Sequence, residues 1–220
     1  MANPTYLWVV NEVLKRLRED TVTSVTQTTY STLIGAFVNE AKREVEDAFN
    51  WDGLSTSLTV PMVVGQRNYN LTGTHSRTRI LEAYNSTARW KMQQASDNSY
   101  INKLLALTVQ QNASPYVYDI FDLDPTTGGF VIRVNPVPTA TDSIIFYLIQ
   151  PKEELTNNTD VLTVPRDPVI QLAYLKAINE RGEDQGRLSE IQERIFRQSL
   201  TDAIAHDDLR QSGSTEWQAI

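Results

Sequence analysis

Cysteine is absent from the 220-residue sequence. That excludes a disulfide scaffold and any thiolate metal site. Histidine is almost as scarce, with His75 and His206 the only two. They fall in different predicted layers, so a Ser-His-Asp arrangement or a histidine metal centre has little to draw on. His75 does stand next to Ser76 in L-T-G-T-H-S-R, but a Ser/His pair would need an acid and an oxyanion hole in a shaped pocket. The signatures G-x-x-x-x-G-K-[S/T], G-x-G-x-x-G, H-E-x-x-H and G-x-S-x-G do not occur either, so no phosphate, dinucleotide, zinc or nucleophile-elbow chemistry is indicated. No run approaches the roughly 18 apolar residues that span a bilayer. The opening M-A-N-P-T-Y-L-W lacks the basic start and apolar core of a signal peptide, so export by that route is not expected.

What is present is an ordinary globular composition, 40% hydrophobic and 21% charged, in a length that suits one domain or two small ones. The net charge of −7 is unevenly spread. Residues 51–110 carry six basic side chains against three acidic, and residues 111–165 carry two against seven. A protein that wraps nucleic acid through its phosphates usually has a basic excess. An acidic surface repels DNA, which suits a passage better than a clamp.

Helical periodicity dominates both ends. Asn3-Pro4 can open a helix over residues 4–19, with Leu7, Val10, Leu14 and Leu17 on one face. A Thr-rich connection, residues 20–28, follows. The spacing of Leu33, Ile34, Phe37, Val38, Ala41, Val45, Ala48 and Phe49 predicts a second helix from Thr29 to Phe49. Glu40, Lys42, Arg43, Glu44 and Glu46 are assigned to its outer face. Near the other end, Asp167 and Pro168 can cap and start a third helix with Ile170, Ala173, Ala177 and Ile178 as its stripe. Gly182 and Gly186 bracket a turn. A fourth helix places Leu188, Ile191, Ile195 and Ala203 on one side and Glu190, Glu193, Arg194 and Arg197 on the other. All these apolar stripes are read as core.

Between the helices the period changes to that of strands. L-T-V-P-M-V-V-G-Q-R-N-Y-N-L reads as a hairpin around Gly65-Gln66, with Pro61 favouring an edge position. R-T-R-I-L-E-A-Y-N and A-R-W-K-M-Q-Q-A are two further strands across Asn85-Ser86. Asp97-Asn98-Ser99 can cap a short helix, Tyr100–Leu107. Tyr116–Leu123 and Gly129–Val134 flank the turn D-P-T-T-G, and S-I-I-F-Y-L-I-Q is the final strand. The expected class is α+β. Residues 1–53 supply N-terminal helices of a bundle, 54–160 a β-rich insertion domain, and 161–209 a C-terminal helical hairpin that completes the bundle. Residues 210–220 form a tail with the lone Trp217.

The order of elements and three stretches of text resemble the head-to-tail adaptor family of short-tailed bacteriophages, also called tail tubular protein A. V-V-N-E-V-L-K-R-L (Val9–Leu17) is similar to that family's opening helix. A-K-R-E-V-E-D-A-F-N-W (Ala41–Trp51) is similar to its second helix, which ends in an aromatic before the strands. V-P-R-D-P and the helix pair 169–206 look like its ending. The resemblance implies a non-enzymatic virion protein, made in the host cytoplasm and seated at the head–tail junction without cofactor or membrane. It would form a ring, usually of twelve subunits, between the portal protein and the tail nozzle or tail tube, and DNA would pass through without sequence-specific binding. Helical parts would meet the portal and neighbouring subunits, and the β-part would face the tail.

Several residues then become candidates. Arg181, Arg187, Glu190, Arg194 and Arg197, opposite Glu40, Glu44 and Glu46, can set register between subunits, because a closed ring needs two different patches on each copy. Trp217 can anchor the tail on the portal. Arg77 and Arg79, if they share a strand face, and Trp90 are candidates for a tail or partner face. Asp119, Asp122 and Asp124 are the best metal candidates, but their spacing is not that of an EF-hand and Asp124-Pro125-Thr126-Thr127-Gly128 is ordinary turn chemistry. No metal or catalytic residue is assigned. The alternative function is a β-rich module that binds a glycan or protein through Tyr84, Trp90, Tyr116 and Tyr118. A metal-dependent hydrolase built on the three aspartates is the third reading.

Overall fold

A computed structural model describes residues 3–95, 102, 113–182 and 187–211. The chain divides into two compact units, one of residues 1–54 with 151–220 and one of residues 55–150. Residues 151–160, which the sequence groups with the strands, thus cluster with the helices. Helices and strands are both well represented, as the α+β reading requires.

In the helical unit, α1 spans Tyr6–Arg16 and α2 spans Thr29–Ala48. Thr5 caps α1, its hydroxyl accepting from the Trp8 amide. Thr28 and Ser31 form a reciprocal capping box on α2. The two helices approach closely at Gly35, where an added Cβ would lie 2.5 Å from the Tyr6 hydroxyl and 2.7 Å from Val25 Cγ1. Val9, Val10, Val13, Ile34, Val38, Ala41 and Val45 are fully buried. Between the helices, the Asn11 side-chain amide donates to the Val22 carbonyl at 2.9 Å and its oxygen accepts from the Val22 amide at 2.8 Å. This pins the Thr-rich connection, so Val22 and Val25 can turn inward.

After the strand unit the chain returns as an extended segment laid along α2. Asn39, Lys42, Arg43 and Glu46 stand three or four residues apart, on one face of that helix. The Asn39 amide both donates to and accepts from the backbone of Leu155 at 3.0 and 2.9 Å. The Lys42 ammonium donates to the carbonyls of Lys152 and Glu153 at 2.8 and 2.9 Å and lies 2.9 Å from Glu46. Glu46 accepts from the Lys152 amide. Lys42 and Glu46 are thus buried, a correction to their assignment to the outer face. Three side chains of a helix, Asn39, Lys42 and Glu46, here satisfy backbone groups that a neighbouring strand would otherwise satisfy, while Arg43 pairs with the Glu154 carboxylate at 2.8 Å.

Helix α3 spans Arg166–Arg181 and α4 spans Arg187–Gln211. The first starts two residues earlier than its sequence signals. Pro165 is its N-cap residue and Asp167 and Pro168 lie in its first turn, where the missing proline N–H is unneeded. Gly182 closes it with φ 63°, a left-handed conformation that favours glycine. α3 is the hub of this unit, packing against α1, α2 and α4.

The strand unit is a seven-stranded sheet in the order β1-β7-β3-β4-β5-β6-β2. Its strands are β1 (Ser55–Pro61), β2 (Asn68–Asn70), β3 (Arg79–Asn85), β4 (Trp90–Gln94), β5 (Val117–Leu123), β6 (Phe130–Asn135) and β7 (Ser143–Ile149). The hairpin expected around Gly65-Gln66 is not formed. β1 pairs with β7 along its whole length and β2 pairs with β6, so the two lie at opposite ends of the sheet. Seven in-register pairs with the apolar β7 outweigh a local turn. Pro61 does lie on an edge strand. The β3–β4 and β5–β6 hairpins form as the sequence indicates. Bulges insert Leu81 into β3 and Phe121 into β5. The core gathers Tyr69, Leu71, Met92, Tyr118, Ile132, Val134, Ile144, Phe146 and Leu148. Apart from Asn102, the short helix expected at Tyr100–Leu107 lies outside the described residues.

Candidate interaction surface

Among the described residues, helix α4 turns a mixed face inward and leaves an apolar one largely exposed. Gln192, Phe196, Ser199, Ala203 and Asp207, spaced by three or four, are its buried or half-buried side. The Gln192 amide donates to Gln171 Oε1 at 2.7 Å and to the Gln171 carbonyl at 3.2 Å. Asp207 accepts from the Asp52 amide at 2.8 Å. About a quarter turn around the helix lie Leu188, Ile191 and Ile195. They remain 47%, 44% and 44% exposed. This corrects the reading of that stripe as core. Its fourth member, Ala203, belongs to the inward face. The reason is geometric: among the described residues α4 packs mainly along α3, whereas α2 lies against both α1 and α3.

Charged side chains frame this ridge. Arg187, Glu190 and Arg194 are exposed, and Arg197 pairs with Glu193 one turn before it. Arg181 stands apart from that group. Its Nε donates to the Tyr30 hydroxyl at 2.8 Å, its guanidinium lies 5.0 Å from the Tyr30 ring centroid, and it forms an ion pair with Glu19. The three acidic residues proposed opposite the arginines also separate. Glu46 is buried on Lys42, while Glu40 and Glu44 flank Lys176 at 3.2 and 2.7 Å. Burial disfavours the Lys176 charge, but its bonds to Glu44 and Glu40 outweigh that and hold its pKa above the ordinary lysine value. Trp217 lies outside the described residues.

A groove of about 970 Å³ runs beside the second half of α4. Trp51 and Asp52, Pro168 and Gln171, and Ile195 and Asp202 are among its lining residues. Sequence reasoning missed it, because its walls come from four separate parts of the chain. Its mixed lining holds no cluster of metal-ligating groups. Among the described residues no group of three or more His, Cys, Asp or Glu side chains converges anywhere.

The strand unit disperses its candidates. Asp119 is buried against Arg133, whose Nε and Nη2 donate to its carboxylate at 3.2 and 2.5 Å. Phe121 stacks on the same guanidinium, 4.7 Å away. Asp122 is exposed, and Asp124 accepts from the Thr126 amide at 2.8 Å. That hydrogen bond, with others from Thr127, holds the Asp124 pKa below the usual carboxylate range. The three aspartates therefore do separate jobs and form no metal site. Arg77 lies in a turn before β3 begins at Arg79, so the two do not share a strand face. Trp90 is 41% exposed and its indole N–H donates to the Pro115 carbonyl at 3.0 Å. Tyr118 is in the core, so the four aromatics weighed as a ligand platform do not lie on one surface. His75 accepts the Arg77 amide through Nδ1 at 3.2 Å, while His206 lines the groove of the helical unit. No helix of the described residues is long and apolar enough to cross a membrane.

A family model described as SU10 adaptor protein matches residues 4–219. That is nearly the whole chain and takes in both units. No curated protein matches it.

Proposed function

The chain belongs to the SU10 adaptor protein family, which makes it a structural adaptor of a phage virion, and from that premise we propose that it forms a ring between portal and tail. The family match over residues 4–219 is the observation that carries the proposal. Copies of the chain join head to tail, each offering two different patches, because only a heterologous contact closes a ring of many subunits. The number expected is twelve. The helical unit meets the portal and neighbouring copies, with Arg187, Glu190, Arg194 and Arg197 at those contacts. The strand unit meets the tail nozzle or tail tube, with Arg77, Arg79 and Trp90 as separate candidate contacts rather than one face. DNA passes through the centre unread. The net charge of −7 favours this, since an acidic wall resists adhesion to the phosphate backbone.

This role needs no catalytic group, and we assign none. Electron microscopy of the full chain mixed with the portal rings of its own phage tests the reading. The expected image is a ring of this chain stacked beneath the portal. Portal rings that stay bare at every protein concentration would overturn it.

A further inference from the structure

Each edge of a β-sheet carries backbone groups that its own ladder does not use, and this sheet treats its two edges differently. β1 and β2 are the end strands. β1 pairs with β7 at every position, from Ser55↔Ile149 to Pro61↔Ser143. Next to that ladder, in the same register, the Met62 amide donates to the Asp142 carbonyl at 2.7 Å. In antiparallel pairing, hydrogen-bonded positions alternate with non-bonded ones. Thr56, Leu58 and Val60 therefore turn their backbone groups toward β7, and Ser57 and Thr59 turn theirs to the open edge. Pro61 also falls on the open side, where its missing N–H removes no ladder bond. Among the described residues, no hydrogen bond reaches the outward N–H and C=O groups of Ser57 and Thr59.

β2 is shielded instead. Since the Leu71 amide donates to the Phe130 carbonyl, the same alternation turns Asn68 and Asn70 outward. Both of their carbonyls are taken, that of Asn68 by the Gln66 side chain at 2.8 Å and that of Asn70 by the Thr72 amide at 3.1 Å. β1 has no such cover. Its sequence S-T-S-L-T-V-P holds no charged residue, its proline is the last residue, and no bulge interrupts its pairing. The usual guards against strand addition are thus missing.

The hydrogen-bond pattern selects the occupant. N–H and C=O groups at every second residue are matched by an extended strand. β2 of another copy fits poorly, because its outward carbonyls are occupied. The extended segment at residues 152–155 is already engaged by Asn39, Lys42 and Glu46. We infer that β1 receives a strand from the tail nozzle or tail tube protein, which joins the sheet along Ser57 and Thr59 through backbone hydrogen bonds. The inference rests on the reading above that the strand unit meets the tail, and it names the contact. The incoming segment alternates, with apolar residues beside Leu58 and Val60, which border the core, and polar ones beside the exposed Ser57 and Thr59.

The test uses full-length chains assembled on the portal rings of their own phage, with the purified tail nozzle or tail tube protein of that phage then added. Amide exchange is read residue by residue, by mass spectrometry with electron-transfer fragmentation. Before the addition, Ser57 and Thr59 are expected to exchange faster than Leu58 and Val60, and after it to slow about tenfold or more. Protection of Ser57 and Thr59 already present in the rings would put a second copy, or the chain itself, on this edge and overturn the inference. Bound tail protein without slowing at Ser57 and Thr59 would overturn it too, and leave the ring reading standing. As an independent arm, Thr59→Pro removes an outward donor and no ladder bond. It is expected to lower retention of the tail protein about tenfold or more while rings still form on the portal. Undiminished retention would also overturn the inference. Wild-type chains that form no rings, or rings that hold no tail protein, would remove the reading beneath it as well.

Discussion

Helices α2 and α4 carry apolar residues at the same helical spacing, yet the two stripes meet different ends. Ile34, Val38, Ala41 and Val45 of α2 are completely buried, while Leu188, Ile191 and Ile195 of α4 keep nearly half their surface. Periodicity identifies which face of a helix is apolar. It does not say whether the same chain covers that face. α2 has α1 on one side, α3 on another and the 152–155 segment on a third. Among the described residues α4 packs mainly along α3. The first helix is enclosed by several elements, and the second keeps Ile191 and Ile195 exposed.

The sharpest way to break this comparison is to disturb the cover of α2. Lys42→Met removes the cation but keeps most of the side-chain volume, and leaves Glu46 buried without it. Breaking a buried pair in this way costs about 3–5 kcal/mol, which urea denaturation would read directly. A loss below about 1 kcal/mol would mean that the returning segment is not anchored by this pair. A smaller effect is expected at the α1–α2 contact. Gly35→Ala drives a methyl against Tyr6 and Val25 and should cost about 1–3 kcal/mol by overpacking, seen as a lowered melting temperature.

Base should weaken the same contact more gently. Burial, followed by the nearby carboxylates of Glu154 and Asp160, pushes the Tyr6 hydroxyl up to about 12. Burial alone does the same for Tyr118, also to about 12, in the strand unit. In both cases folding favours the neutral phenol. Its contribution is complete below the ordinary tyrosine pKa near 10 and is lost as pH rises toward 12. Absorbance titration of the phenolates should find these two tyrosines ionising late, Tyr6 beginning to ionise earlier in Gly35→Ala than in wild type.

Acid acts at the loop that leads back into the helices. The Asp160 carboxylate accepts the amides of Thr156 and Asn157, each at 2.7 Å. Those bonds, Asn157 first, hold its pKa below the usual carboxylate range. Its contribution is therefore present above the unfolded carboxylate pKa near 3.9 and disappears as pH falls through the lower folded value. Carboxyl carbon NMR should give Asp160 a midpoint below the ordinary aspartate value near 3.9. A midpoint at that value would remove the capping role.

The smallest effect on the isolated chain is expected where the ridge is already wet. Ile191→Ser should change stability by about 0.5 kcal/mol or less, while the corresponding change in α2, Ile34→Ser, should unfold much of the unit. Equal losses at the two positions would erase the distinction between a covered stripe and an uncovered one.

Much of the architecture was legible before any coordinates. Capping residues and stripes delimit α1 and α2, and D-P-T-T-G marks the β5–β6 hairpin, because these signals are local. Non-local choices were not legible. Nothing in L-T-V-P-M-V-V-G-Q-R-N-Y-N-L says that β1 will pair with a strand some ninety residues later. Lys42 and Glu46 read as a solvated i, i+4 pair, and only the returning segment makes them interior. Simple pairing outward from Leu123 and Phe130 would set Asp119 opposite Val134, and it is the bulge at Phe121 that brings Asp119 to Arg133. On α4 the sequence contains two overlapping apolar stripes, one through Leu188, Ile191 and Ile195 and another through Phe196, Leu200 and Ala203. Which of them faces inward is decided by α3, through Gln192 and Gln171. The groove is invisible for the same reason, since its walls meet only after folding.

The central claim is that the uncovered face of α4 becomes covered when copies assemble. Amide hydrogen exchange of residues 187–197, measured in the free chain and in the portal-bound ring, tests it most directly. The account predicts a marked slowing of exchange there on assembly. Unchanged exchange over 187–197 in a fully assembled ring would contradict it.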